Sequence, residues 1–152
     1  MKSKTRPSHS INDNSAVKLK TVTKPDHRFL YTLLGERHPN ANISHKKMPS
    51  YNEHVKFVTS KPYSKWYIIK YQNQSAGSIY LTKHDEIGIF IKKGFQGIGL
   101  GNLALHLLIK ANPRPRYLAN VNPKNLKSIE FFKKNQFKLI QYTYELISHD
   151  MH

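Results

Sequence analysis

The sequence predicts an α/β domain in which a mixed, mostly antiparallel sheet is flanked by helices. Two observations predict it. Three short β-rich runs follow one another closely in mid-chain, and after them strand-like and helix-like segments alternate. The expected order is β-α-α-β-β-β-α-β-α-β. A length of 152 residues suits one domain with one core. We therefore expect a flexible basic tail over 1–15 and a single domain over 16–152.

The elements follow from local pattern. Residues 1–15 (MKSKTRPSHSINDNS) are polar and show no hydrophobic period. Val17–Val22 alternates apolar and polar residues, as a strand does. Pro25 and Asp26 then open a helix whose apolar residues are Phe29, Leu30, Leu33 and Leu34, and Gly35 stops it. Residues 36–49 have loop composition. Ser50 followed by Glu53 forms a capping-box pattern, which places a short helix at about Tyr51–Thr59 with Val55, Phe57 and Val58 buried.

Trp66–Tyr71, Ser78–Thr82 and Ile87–Ile91 read as strands. The linkers QNQSAG and KHDE are turn-rich, so the three are expected to form an antiparallel meander. A glycine-studded bend, Gly94 to Gly101, follows. Leu100, Leu103, Ala104, Leu107 and Leu108 then recur on one helical face, and Asn112, Pro113 and Pro115 end that helix. Tyr117–Val121 reads as a strand. Asn122-Pro123 resembles the cap and first position of a helix running to about Asn135, and Phe137–Ile147 reads as a last strand.

Composition excludes several classes. The chain has no cysteine, which removes disulfides, thiolate metal sites and a cysteine nucleophile. No apolar run is long enough to span a bilayer, and the first residues lack the apolar core of a secretory signal, so the cytoplasm is the expected compartment and no membrane partner is expected. Twenty-five Lys and Arg against nine Asp and Glu give a net charge of +16. Residues 1–24 hold six of the bases and one acid, so most of the excess lies in the body. Such a surface attracts anions: phosphorylated cofactors, acidic metabolites or nucleic acid. No helix-turn-helix, RNA-recognition or zinc pattern accompanies it, so a basic nucleic-acid-binding module stands only as a lesser alternative function, with weak nucleic-acid contact through the basic surface as a side role.

The chemistry is concentrated in IGIFIKKGFQGIGLG, residues 87–101. A strand runs into a glycine turn and an amphipathic helix starts at once. The first turn of a helix has free N–H groups and partial positive charge. Gly97, Gly99 and Gly101 keep Cβ atoms away from that end, so with the N–H of Asn102 they can cradle a diphosphate. No Gly-Lys-Ser/Thr follows, which excludes a P-loop, and the spacing is not that of a dinucleotide fingerprint. A tight structural turn remains the other reading of these glycines.

A second segment, NPKNLKSIEFFKKNQF at 122–137, decides between them. Gln96, Gly99 and Gly101 with Asn125, Ser128, Phe131, Lys134 and Phe137 fall in the two signatures of the acetyl-CoA-binding core, and the chain resembles the GNAT (Gcn5-related) N-acetyltransferase superfamily. The resemblance implies the GNAT fold, acetyl-CoA as co-substrate without a metal, and transfer of an acetyl group to a primary amine by direct attack. The acceptor would be a small molecule, such as an amino-sugar nucleotide, or a protein N-terminus. It further implies that Ile89, Phe90 and Ile91 pair through the backbone with the pantetheine arm, that Gln96, Gly97, Gly99, Gly101 and Asn102 hold the diphosphate, that Asn125 bonds the pantetheine, and that Phe132 packs near the thiol.

Three positions depart from the family. Phe132 stands where a tyrosine commonly protonates the leaving thiolate, Gln136 stands where a glycine commonly precedes the final Phe, and Asn120 stands where ribosomal-protein alanine acetyltransferases carry a glutamate. Phe132 and Asn120 motivate the alternative of a GNAT-fold protein that binds acyl-CoA without catalysis. For the proton acceptor, Glu86 is preferred, directly or through water, with His84 beside it. A turn carboxylate paired with Lys83 is its other reading. His54 and Glu53, with His45 in the preceding loop, are the next candidates because this region walls the acceptor side in the family.

Overall fold

The computed structural model describes residues 16–37 and 47–150. It contains four strands, β1 (Val17–Thr21), β2 (Lys65–Tyr71), β3 (Gln74–Leu81) and β4 (Ile87–Ile91). They form one antiparallel sheet in the order β1-β2-β3-β4. The helices are α1 (His27–Glu36), α2 (Tyr51–Thr59), α3 (Leu100–Ala111) and α4 (Leu126–Lys134). The tail 1–15 and His45 lie outside the described residues.

Strand alternation gives the sheet two apolar faces. On one, Val17, Ile69, Ile79, Leu81 and Ile87 pack against Leu100, Ala104, Leu105 and Leu108 of α3. On the other, Ile68 meets Leu30 of α1 and Val58 of α2. Ile68, Ile69 and Ile79 are fully buried, because the central strands are covered on both faces. Asp26, at the entry to α1, is buried as well. Burial raises its pKa, but the ammonium of Lys20 at 2.7 Å and the Thr23 N–H at 2.8 Å outweigh this and hold the carboxyl below its ordinary value.

The expected mixed α/β class holds, and several elements differ from the expectation. The strand expected at Ser78 starts at Gln74, since Gln72 and Asn73 both take positive φ and close a two-residue hairpin turn. On α2, Ser50 Oγ accepts from Glu53 N–H as the capping pattern requires, but the buried residues are His54 and Val58. Phe57 is 39% exposed, because it sits beside an open cavity rather than in the core.

The helix expected from Asn122 starts at Leu126. Residues 122–125 close a turn, with Asn125 N–H on the Asn122 carbonyl, and Asn125 is the cap, accepting from Ser128 N–H at 3.2 Å. Two expected strands are not formed. Tyr117–Val121 makes a single parallel bridge, Leu118 to Glu86, and then leaves β4. Phe137–Ile147 pairs with no strand among the described residues. Leu139, Ile140, Tyr142, Tyr144 and Leu146 are each at least 67% exposed, because a strand-like pattern does not itself supply a sheet edge.

Candidate active site

The bridge between Glu86 and Leu118 fixes the site. Ile87 N–H bonds the Leu118 carbonyl at 2.7 Å, Leu118 N–H bonds the Asp85 carbonyl at 2.9 Å, and beyond this point the two segments diverge. Among the described residues the edge of β4 past Ile87 therefore has no strand neighbour. Antiparallel alternation decides which groups it offers. Thr82 bonds Glu86 and Lys92 bonds Ala76 across β3, so Gly88 and Phe90 turn their backbone groups toward β3. Ile89 and Ile91 turn theirs toward the open side. Gln96 Nε2 takes the Ile91 carbonyl at 2.9 Å, which ties the glycine turn to the strand.

The opening is a groove of about 1120 Å³. It is lined by Ile87–Ile91, the glycine turn with the start of α3, and Asn120–Asn122 with α4. Gly97 and Gly99 hold φ of 81° and 90°, and a Cβ on either would point into open space. Gly99 caps α3, whose first N–H groups open toward the groove. Gly101 lines the groove too, and a Cβ there would lie 3.0 Å from the Phe131 ring, so this glycine also lets α4 pack on α3. Asn102 Oδ1 accepts from Asn135 Nδ2 at 2.9 Å and joins the same two helices. Asn125 and the buried Phe132 line the groove, Phe132 with its ring against Phe131 and Phe137. Lys93, Lys124 and Lys127 bring positive charge to the walls.

A second cavity of about 820 Å³ lies between the opposite sheet face and α1 and α2. Its walls include Tyr31, Phe57, Tyr63, Trp66, Tyr80 and Phe90, with Arg37, Lys47 and Glu53 as charged members. Arg37, Tyr63, Tyr80, Gly88, Ile89 and Phe90 line both spaces, so the cavity and the groove meet across the middle of β4. Gly88 is required at this junction, because any Cβ would overlap the tip of the Tyr80 ring. Tyr63 stacks on Tyr80 at 3.8 Å with the planes 4° apart, and Trp66 meets both rings edge-on. Burial, and after it the neighbouring Tyr80 hydroxyl, push the Tyr63 phenol above its ordinary pKa, with Arg37 opposing. Arg37 Nε is buried and has no hydrogen-bond partner among the described residues.

The candidates for the proton acceptor are dispersed. Glu86 lines the groove and accepts from Thr82 Oγ1 at 3.1 Å and from Asn120 Nδ2. Among the described residues its carboxylate is held by these two groups, and no ion pair with Lys83 is formed. Asn120 thus holds this carboxylate. His84 is exposed on the preceding turn and lines neither space. His54 and Glu53 line the second cavity only, His54 between the rings of Tyr31 and Phe57. Among the described residues no cluster of His, Asp and Glu is arranged to hold a metal, and no helix is long and apolar enough to cross a membrane.

Arg37, Tyr63, Trp66, Tyr80 and Gly88 escaped the sequence reading. Their signal is spatial: they come from four separate segments, and only the alternation of Trp66, Ser78, Tyr80, Gly88 and Phe90 onto one sheet face hints at their meeting.

Solved structures of acetyltransferases resemble this one in fold. The RimL ribosomal L7/L12 α-N-protein acetyltransferase in complex with CoA superposes with a TM-score of 0.68 at 20% identity, covering 84% of this chain and 82% of that one. The spermidine N-acetyltransferase of Vibrio cholerae, with CoA and spermine, gives 0.65 at 17% identity and 79% coverage of each chain. The microcin C7 self-immunity acetyltransferase MccE, with acetyl-CoA and AMP, gives 0.59 at 18% identity, with 82% and 79% covered. At these identities the likeness is one of fold. No curated protein matches by sequence. The model of the acetyltransferase (GNAT) family matches residues 27–137, and the chain belongs to that family.

Proposed function

We propose that the protein is an acetyl-CoA-dependent N-acetyltransferase that acts by direct attack of a primary amine. The observation that supports this reading is the junction at β4. A groove lined by the open edge of β4, the glycine turn and the start of α3 meets, across Gly88 and Ile89, a separate cavity.

In this reading the backbone groups of Ile89 and Ile91 pair with the pantetheine arm as a strand would. The free N–H groups at the start of α3 and the nearby lysines hold the diphosphate. Acetyl-CoA supplies the activated acyl group. The chain orients the thioester, polarises its carbonyl with a backbone N–H of β4, and accepts the amine proton at Glu86 through water.

The acceptor cavity supports a choice among amines. Arg37 and Lys47 outnumber Glu53, and the walls are aromatic. That suits an amine carried on a molecule with an anionic group and a flat ring, such as an amino-sugar nucleotide, better than a polyamine. The AMP bound by MccE is consistent with such a cavity in the fold. A protein N-terminus rich in acidic residues is the second acceptor to test.

The test is thiol release from acetyl-CoA against amino-sugar nucleotides, aminoglycosides, polyamines and N-terminal peptides. Turnover with an anionic amine supports the reading. Acetyl-CoA binding with no thiol release from any amine would instead establish a binding-only protein.

A further inference from the structure

The reaction needs a proton for the departing sulfur, and the groove wall at Phe132 cannot give one. The acyl carbon must lie where the acceptor cavity and the groove meet, since the amine arrives from one and the thioester from the other. Six residues line both spaces. Gly88, Ile89 and Phe90 have no side-chain proton to give. Arg37 keeps its proton at any working pH. Tyr63 and Tyr80 remain.

Of these, Tyr80 is placed by the sheet itself. It stands on β3 directly opposite Gly88 of β4, and its ring tip fills the space that a Cβ there would occupy. The hydroxyl is thereby carried across β4 toward the strand's open edge. Tyr63 lies flat against the same ring, and Trp66 meets both rings edge-on from the side of Tyr63, so one face of the Tyr80 ring is packed.

We propose that Tyr80 is a catalytic residue, the general acid that protonates the CoA sulfur as the thioester breaks. This rests on the acetyltransferase reading above. The amine nitrogen forms its bond to the acyl carbon and loses a proton to Glu86 through water. The C–S bond breaks, its electron pair leaves on sulfur, and the Tyr80 O–H proton moves to that sulfur. The phenolate then regains a proton from Glu86 through the same water. The products are the amide and the free thiol, with no net gain or loss of protons.

The experiment compares wild type and Tyr80→Phe with acetyl-CoA and with its selenoester analogue, using the best acceptor of the amine panel. A selenol is much more acidic than a thiol, so its anion leaves without a donor. With acetyl-CoA, kcat is expected to fall about 10²-fold in Tyr80→Phe while KM for acetyl-CoA changes by less than about threefold. With the selenoester the two proteins should differ by less than about threefold. A ratio of wild type to Tyr80→Phe that is the same for both donors would overturn the assignment, as would a kcat for acetyl-CoA within threefold of wild type. If wild type itself binds acetyl-CoA yet acetylates nothing, the functional reading fails first, which the amine panel alone reveals.

Discussion

The groove along β4 and the cavity beneath α1 and α2 share a wall, yet they are built from different materials. The groove offers backbone: the open side of Ile89 and Ile91, the turn at Gly97–Gly99 and the first N–H groups of α3. The cavity offers side chains: six aromatic rings, two cations and a carboxylate from α1, α2, β2, β3 and β4 and the loops between them. A backbone surface recognises what every acyl-CoA has in common. A side-chain surface can be exchanged residue by residue, so the choice of acceptor belongs there.

The sharpest way to separate the two is Gly99→Glu. The wild type is expected to gain thermal stability from acetyl-CoA by mass action. The variant should lose that shift completely, since a carboxylate would stand in the phosphate cradle. Its positive φ adds a strain of about 1–2 kcal/mol to the free protein. An undiminished shift would mean that the diphosphate lies elsewhere.

Next in size is Glu86→Gln. It retains a hydrogen-bonding partner for Asn120 and Thr82 but cannot take a proton, so turnover should fall by about 10²-fold with acetyl-CoA affinity nearly unchanged. Unchanged turnover across pH would direct attention to Glu53 and His54 on the cavity side.

Lys47→Glu probes the cavity alone. For an anionic acceptor it should raise the acceptor KM roughly three- to tenfold, as expected for an exposed charge at the cavity mouth, and leave the acetyl-CoA thermal shift as it was. A fall in KM would point to a cationic acceptor.

The smallest effect is expected for Phe132→Tyr, which changes the groove wall in a place where a donor is already supplied by Tyr80. Activity should stay within roughly tenfold of wild type. A larger gain would show that the reaction lacks an acid, and so would count against Tyr80.

The same contrast decides what could be read from the chain. The groove was legible because backbone recognition needs glycines and a helix start in sequence order, and residues 96–101 write them consecutively. Asn125 was found as a ligand candidate, but its place as the cap of α4 was not, since Asn122-Pro123 imitates a helix start more strongly. The cavity was illegible because Trp66, Tyr80 and Gly88 are unremarkable until hairpin registers align them, and Arg37 joins them only through the placing of α1. Strand pairing failed for a related reason. Alternation at 117–121 and 137–147 states what a strand would look like, but no local pattern states that a partner edge is present.

The parting of β4 from Leu118 has a consequence at the level of single amide protons. Along three successive residues of one strand, protection should alternate. Phe90 N–H is covered by β3, whereas Ile89 and Ile91 face an edge with no neighbouring strand. In the free protein, hydrogen exchange at Ile89 and Ile91 should be fast beside a slow Phe90. On adding acetyl-CoA the odd-numbered amides should slow toward the rate of the even one, because the pantetheine arm then takes the place of a fifth strand. Uniform protection of all three in the free protein would mean that this edge is already covered.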